Sequence, residues 1–368
     1  MTTITLQDLR RHAIARSLST PMPLPDALDR LGFVQADPIR APARAQDLIL
    51  RHRVPDYGAG DLERLYPTLP IEEDFFVNYG FLPHRHAQAL HPRKTRVRRG
   101  STRQQRMEDL LTFVRSKSEV HPREAAAHFA HGRVKNYWGG ASSATTQLLD
   151  LMHFQGQLRV ARRDNGIRVY AARVSQHADC NAPARLLQAQ SLLQLIVQLY
   201  APLPARTLGQ LMSMLRRSAP QLSREITRVL AQAKHTFAHA SIDGMQWYWP
   251  SNADPLSSRE NQDTAVRLLA PFDPIVWDRL RFEKFWGWAY RFEAYTPLAK
   301  RKLGYYALPL LWRDEVIGWG NLSLKAGRLK ADFGYVSGSK PKDRGFAREL
   351  DAELARIQTF LLRSGGGI

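Results

Sequence analysis

The chain is poor in several things at once. It holds one cysteine, Cys180, in 368 residues, which excludes an internal disulfide framework and a zinc site built from paired cysteines. Nothing in "HADCNAPAR" asks for a reactive thiol, so Cys180 reads as incidental. No apolar run approaches the roughly 20 residues of a membrane span. The opening "MTTITLQDLRRHAIARSL" alternates charged with apolar residues and lacks the apolar core of a secretory signal. A soluble cytoplasmic protein with no membrane partner is therefore the expectation. No glycine-rich phosphate loop of the Walker type is present, which argues against ATP-driven chemistry. Carboxylates are scarce and scattered, whereas a metal-dependent nuclease needs them clustered. Among the twelve histidines, "HRH" at 84–86 with His91 comes nearest to a metal set. That spacing fits no zinc pattern, and its basic surroundings repel a cation. No metal and no other cofactor is expected.

What is abundant is positive charge. Lys and Arg number 53 against 34 Asp and Glu, a formal charge of +19. Such a surplus attracts polyanions and speeds encounter with them. Nucleic acid is the first candidate, because phosphate neutralisation supplies most non-specific affinity; an anionic membrane surface and plain solubility are the alternatives. The apolar fraction of 44% is enough for a buried core.

Periodicity gives the organisation. Residues 5–18 form an amphipathic helix, 25–31 a shorter one, and Phe33–Asp37 an extended segment, since Pro38 biases Asp37 away from helical angles. The next helix should start with Pro42 at its first position, because a proline inside a helix costs about 3 kcal/mol. Helices follow at 101–116, 121–130 and 142–156, the last capped by Ser142 or Ser143 and closed by Gly156. A hairpin turning at Asp-Asn-Gly comes next. Three helices and a two-stranded wing make a winged helix, a helix-turn-helix variant. The order recurs with helices at 184–200, 205–217 and 221–234 and a hairpin turning at Asp243-Gly244, and the first 55 residues read as a modified third copy. Beyond residue 265, Trp286, Trp288, Tyr290 and Phe292 alternate with a strand period, and short strands follow to residue 336, the mark of a small β-barrel. Residues 343–363 close the chain as a helix. The expected fold class is α+β: tandem winged-helix domains followed by a small β-barrel. The expected divisions are 1–103, 104–180, 181–255 and 256–368, the first including a basic linker.

That linker, residues 84–106, carries eight Lys or Arg and no carboxylate. It reads either as a solvated connection or as a segment lying along phosphates. Arg93, Lys94, Arg96, Arg98 and Arg99, with Arg40, Arg44 and Lys135, are the candidate DNA-binding residues. Tyr137 and Trp138 flank Lys135 as core residues or as stacking platforms. Thr145, Thr146 and Gln147 occupy the helix turn where a regulator reads base edges, but without the arginine that most often does so. A monomer on double-stranded DNA, bound by shape rather than sequence, is expected, since no dimerisation element is evident.

One pair remains. In an extended segment Gln35 and Asp37 share a face while Val34 and Ala36 point inward, so amide and carboxylate can converge on one target. A turn role for an aspartate before proline is the alternative.

The run from Gln35 to Val54, with "APFDPIVWDR" (270–279), "YRFEAYTP" (290–297) and "KRKLGYYALPLL" (300–311), resembles the AlkZ/YcaQ-type winged-helix DNA glycosylases of bacteria. The resemblance spans most of the chain. It implies three tandem winged helices plus a β-barrel, excision of alkylated bases, and a catalytic Gln-x-Gln or Gln-x-Asp signature, whose second form "QAD" matches at 35–37. On that footing the chain is expected to be a monofunctional glycosylase hydrolysing the N-glycosidic bond of N7-substituted purines, bulky adducts or crosslinks included. Asp37 would stabilise the sugar cation and activate water, and Gln35 would hold that water. Bulky adducts could be processed without full base flipping, smaller ones with it. Where better-known members carry a Tyr-Trp-x-His string this chain has "DFFVNYGFLP", so Asn78 or Tyr79 is a possible auxiliary group. The rival reading is a non-enzymatic winged-helix DNA-binding protein, a regulator or nucleoid factor.

Overall fold

The computed structural model describes residues 3–18, 20–93, 100–135, 140–174, 181–259 and 263–363. The fold is mixed α+β, and the chain divides into two compact units: Met1–Leu62 with Leu193–Met212 and Val229–Ile368, and Glu63–Leu192 with Ser213–Arg228.

The second unit contains the predicted succession of three helices and a hairpin. Thr102–Lys117 is capped by Ser101, Pro122–Phe129 opens on its proline, and Ala144–Gln155 is capped by Ser143, whose side chain accepts from Thr146 N–H. The strands Leu158–Asp164 and Ile167–Ala172 turn through Asn165 and Gly166, both with positive φ, as a two-residue hairpin turn demands. Leu110, Val114, Ala125, Leu149, Met152 and Leu158 are fully excluded from solvent at the centre. Ahead of these helices, Ile71–Phe75 pairs antiparallel with Tyr79–Pro83. Its Glu72, Glu73 and Asp74 are consecutive and all buried, although neighbours on a strand face opposite ways. Both sides of the strand are therefore covered.

The first unit opens with the helix Leu6–Ser17, whose Thr5 and Asp8 form a reciprocal capping box. Leu24–Leu31 follows and ends at Gly32 in the left-handed region. Further along the chain, the hairpin Ala238–Ile242 and Met245–Trp249 turns at Asp243-Gly244, as its sequence foretold. Val266–Leu268, Leu308–Trp312, Glu315–Lys325 and Arg328–Tyr335 form one antiparallel sheet in that order. The sheet is open among the described residues and not the closed barrel that the strand pattern suggested. The helix Arg344–Leu362 supplies the reason: its Phe346 packs on Trp312 and Tyr335, at ring distances of 5.1 and 6.3 Å. A helix thus covers the face that a barrel would turn inward.

Two local expectations are corrected. The helix expected from Pro42 begins at Ala45 and runs to Leu50, with Arg44 in extended conformation before it. The aromatic alternation at 286–292 is no strand. Arg279–Trp286 is a helix, capped by the Asp278 carboxylate on Leu280 and Arg281 N–H and stopped at Gly287. The alternation is nevertheless real: Trp286, Trp288 and Tyr290 all gather around Phe282, at 4.6, 5.2 and 5.4 Å. Packing on one ring imposes the same period as a ladder, without ladder hydrogen bonds.

Candidate active site

Gly32 turns the chain out of a helix, and Phe33 and Val34, at 2% and 1% exposure, pin the next residues into the core. Val34–Gln35 is extended, so Gln35 and Asp37 follow as predicted. Both are more buried than a solvent-facing pair, at 5% and 8%. Pro38 keeps the chain from turning helical, and Asp37 Oδ1 accepts the Ile39 N–H at 2.8 Å, an aspartate turn of the kind weighed from the sequence. That bond occupies one oxygen only. The Asp37 N–H donates to Oε1 of Gln46 at 3.3 Å, and Gln46 is itself buried on the helix Ala45–Leu50. The motif backbone is held from both sides.

The side chains are left with unspent capacity. Gln35 Oε1 is buried with no hydrogen-bond partner. Asp37 has no ion pair with any Lys, Arg or His among the described residues. Burial raises its pKa, and the Ile39 N–H only partly opposes this. In a chain of charge +19, a buried carboxylate without a cation is conspicuous. Buried polar groups normally find partners, and the exceptions call for an account.

A hydroxyl from far along the sequence joins them. Tyr306 is 3% exposed and its O–H is buried without a partner; burial and the charge of Asp37 push its pKa up. The same charge reaches Tyr295. Phe292 packs edge-on against Tyr306 at 5.2 Å and meets Tyr295 at 6.0 Å. Gln46 and Tyr306 were not singled out from the sequence. Gln46 showed one signal, an amide inside an otherwise apolar helix turn; Tyr306 showed none but its place in "GYYALPLL".

The other candidates fare differently. Arg93 is a structural residue, not a phosphate contact. It is 3% exposed and donates to Asp74 Oδ1 and Phe154 O at 2.8 Å, to Phe75 O at 2.7 Å, and to Ser218 O. Four of the five guanidinium N–H groups are consumed inside the protein. Lys94, Arg96, Arg98 and Arg99, like Tyr137 and Trp138, lie outside the described residues. Arg40 and Lys135 are exposed and Arg44 is half-buried, as candidate phosphate contacts require, and Arg103 and Arg106 stand exposed on the helix Thr102–Lys117. Thr145 is turned inward, its hydroxyl 3.2 Å from His131 Nδ1, while Gln147 binds Ser142 Oγ at 3.0 Å. Asn78 and Tyr79 belong to the other unit. Asn78 is exposed and caps Tyr79 N–H, and the Tyr79 hydroxyl donates to Glu73 Oε2 at 2.8 Å. Among the described residues no three His, Cys, Asp or Glu side chains gather in a metal-binding group, and no helix is long and apolar enough to cross a membrane.

Two comparisons bear on this arrangement. The model of the family described as "DNA glycosylase AlkZ-like" matches residues 28–360. The fold is similar to that of Streptomyces sahachiroi DNA glycosylase AlkZ, with a TM-score of 0.63 over 98% of this chain and 97% of that one, at 13% sequence identity.

Proposed function

The chain belongs to the AlkZ-like DNA glycosylase family, and from that premise we propose that it is a monofunctional enzyme for N7-alkylated purines. It hydrolyses the N-glycosidic bond in double-stranded DNA and leaves an abasic site. The observation that carries this reading is Asp37, a buried carboxylate with no cation and one free oxygen, beside an amide oxygen and a hydroxyl that also lack partners.

N7 substitution makes a purine cationic, so it departs with little acid assistance. The barrier then lies in the oxocarbenium-like sugar and in delivering water. Asp37 serves both needs: its charge stabilises the sugar cation where burial strengthens the interaction, and its free oxygen takes a proton from the attacking water. Gln35 Oε1 accepts a hydrogen bond from that water, and Gln46 positions the Asp37 backbone. Tyr306 is a positioning group, a donor kept for substrate, water or carboxylate. The set offers no amine for a Schiff base, so the strand stays intact. Bulky N7 adducts and interstrand crosslinks fall within the same chemistry.

The two successions of helices and hairpin, 102–172 and 182–249, are read as tandem winged helices on the duplex, with a modified third copy ahead of them and the four divisions given above. Arg40, Arg44, Arg103, Arg106 and Lys135 are assigned to phosphates, and the enzyme to a monomer acting at the nucleoid. The test is a labelled duplex with one N7-methylguanine, incubated with wild type or Asp37→Asn in EDTA and then treated with alkali. Alkali-dependent cleavage by wild type, lost in the variant, is the expected result. Binding without cleavage, at methyl and at bulkier N7 adducts alike, would overturn the assignment.

A further inference from the structure

Nine large apolar or aromatic side chains stand exposed among the described residues, and three of them, Tyr295, Leu298 and Tyr305, fall within eleven residues of one loop. They are 72%, 79% and 44% exposed, and the two tyrosines are the only aromatics in that group of nine. Burying such side chains inside the protein would have been favourable, so their clustering points to a partner.

The loop's charge says which kind. Between Arg291 and Tyr306 it carries four cations, Arg291, Lys300, Arg301 and Lys302, against one carboxylate, Glu293. That carboxylate is buried, with Oε2 accepting the N–H groups of Lys302 and Leu303 at 2.8 Å and of Gly304 at 3.3 Å. The cations are thus unopposed at the surface, and the Arg301 guanidinium lies 5.0 Å over the Tyr305 ring. Aromatics among cations match a strand of nucleic acid, whose phosphates take the charge and whose bases stack on the rings.

The loop is also rigid, and it touches the catalytic pair. Arg301 binds Thr296 O at 2.8 Å, Asn321 binds Leu303 O at 2.7 Å, and the Tyr290 hydroxyl binds Ala307 O at 2.8 Å. At Gly304 the chain takes φ +120, and a Cβ there would meet the Asn321 side chain at 2.3 Å. Tyr295 stacks edge-on with Phe292, which packs on Tyr306, the hydroxyl beside Asp37.

We propose that Tyr295, Leu298 and Tyr305 are a wedge that enters duplex DNA beside Asp37 and fills the space of a displaced or excised base. This rests on the glycosylase reading above. Apolar side chains pushed between base steps unstack them at a cost of a few kcal/mol, least where a base is damaged or missing. The wedge therefore recognises a weakened stack and not a sequence.

The experiment measures binding, so that it does not depend on excision. In an Asp37→Asn background, affinities are compared for an intact duplex and for the same duplex with one tetrahydrofuran abasic analogue. The wedge predicts tighter binding to the abasic duplex. It further predicts that Tyr295→Ala, Leu298→Ala, Tyr305→Ala combined weakens that binding about ten-fold or more, while intact-duplex affinity changes less than three-fold. Lys300→Ala with Lys302→Ala should weaken both duplexes equally and flatten the salt dependence. All five side chains are solvent-facing, so folding is spared. Equal loss on both duplexes, or no loss, in the triple variant overturns the wedge. Absence of excision by wild type, with the abasic preference intact, would instead overturn the catalytic reading alone.

Discussion

The strand Ile71–Phe75 and the segment Val34–Asp37 bury carboxylates in opposite ways. On the strand, Glu72 meets Arg173 at 2.5 Å, Glu73 meets Arg163 at 2.6 Å, and Asp74 meets Arg93 at 2.8 Å and His91 at 2.5 Å. Asp37 is nearly as buried and meets a backbone N–H alone. The arginines hold Asp74 well below the ordinary carboxylate range despite its burial, whereas burial without a cation raises Asp37. Desolvating a charge costs several kcal/mol unless a partner offsets it. A protein with 53 basic residues had the means to pair Asp37. Leaving it unpaired reserves its charge for something that forms only during reaction.

The comparison can be broken at either end. The largest effect is expected on the paired side: Arg93→Ala strands Asp74 and should lower stability by about 3–5 kcal/mol. Calorimetry checks this, and an unchanged melting temperature would sink the structural role given to Arg93. Next comes Asp37→Asn, which keeps the Ile39 turn but removes the charge. Single-turnover excision should fall by about 100-fold to 1,000-fold.

Smaller effects sharpen the contrast. Tyr306→Phe removes a hydroxyl that no protein group satisfies, so stability should hold or rise slightly. Excision should slow about ten-fold, at the lower end of what a positioned proton-transfer group contributes, and the acidic limb of the rate profile should move. A slowed rate with no movement of that limb would leave Tyr306 a packing role only. In wild type that limb reflects Asp37, which must be ionised to act. Because its folded pKa is raised, activity should disappear with falling pH above the ordinary aspartate value of about 3.9, and the residual rate of Asp37→Asn should lack this limb.

The smallest effect is thermodynamic, and its sign separates the two regions. Asp37, raised in the folded state, contributes stability that is fully present below its unfolded pKa and lost as pH rises through the folded value. At neutral pH its ionised form therefore costs stability, and Asp37→Asn should raise the melting temperature by about 1–2 °C. Asp74 is depressed, so its contribution is present above the unfolded pKa and lost as pH falls through the folded one. Asp74→Asn should lower the melting temperature at neutral pH. If both variants shifted it in the same direction, the two burials would not differ as described.

The sequence by itself determined the helices and hairpins, through apolar periodicity, Ser caps and left-handed turn residues such as Asn165-Gly166 and Asp243-Gly244. It also determined the extended Gln35–Asp37 segment, because Pro38 acts on its immediate neighbour. These are local constraints, settled within a few residues. Tertiary structure decided what composition left ambiguous. Arg93 stands in a run of exposed-looking cations, yet Asp74 and three carbonyls draw it inside. The aromatic alternation at 286–292 served Phe282 and not a ladder, and a helix took the place of barrel closure. Tyr306 joined Asp37 across some 270 residues, and Asp37 itself became catalytic in character only because no cation came near. Contacts between distant residues fix burial and charge partners, and pKa and unspent hydrogen bonds depend on both.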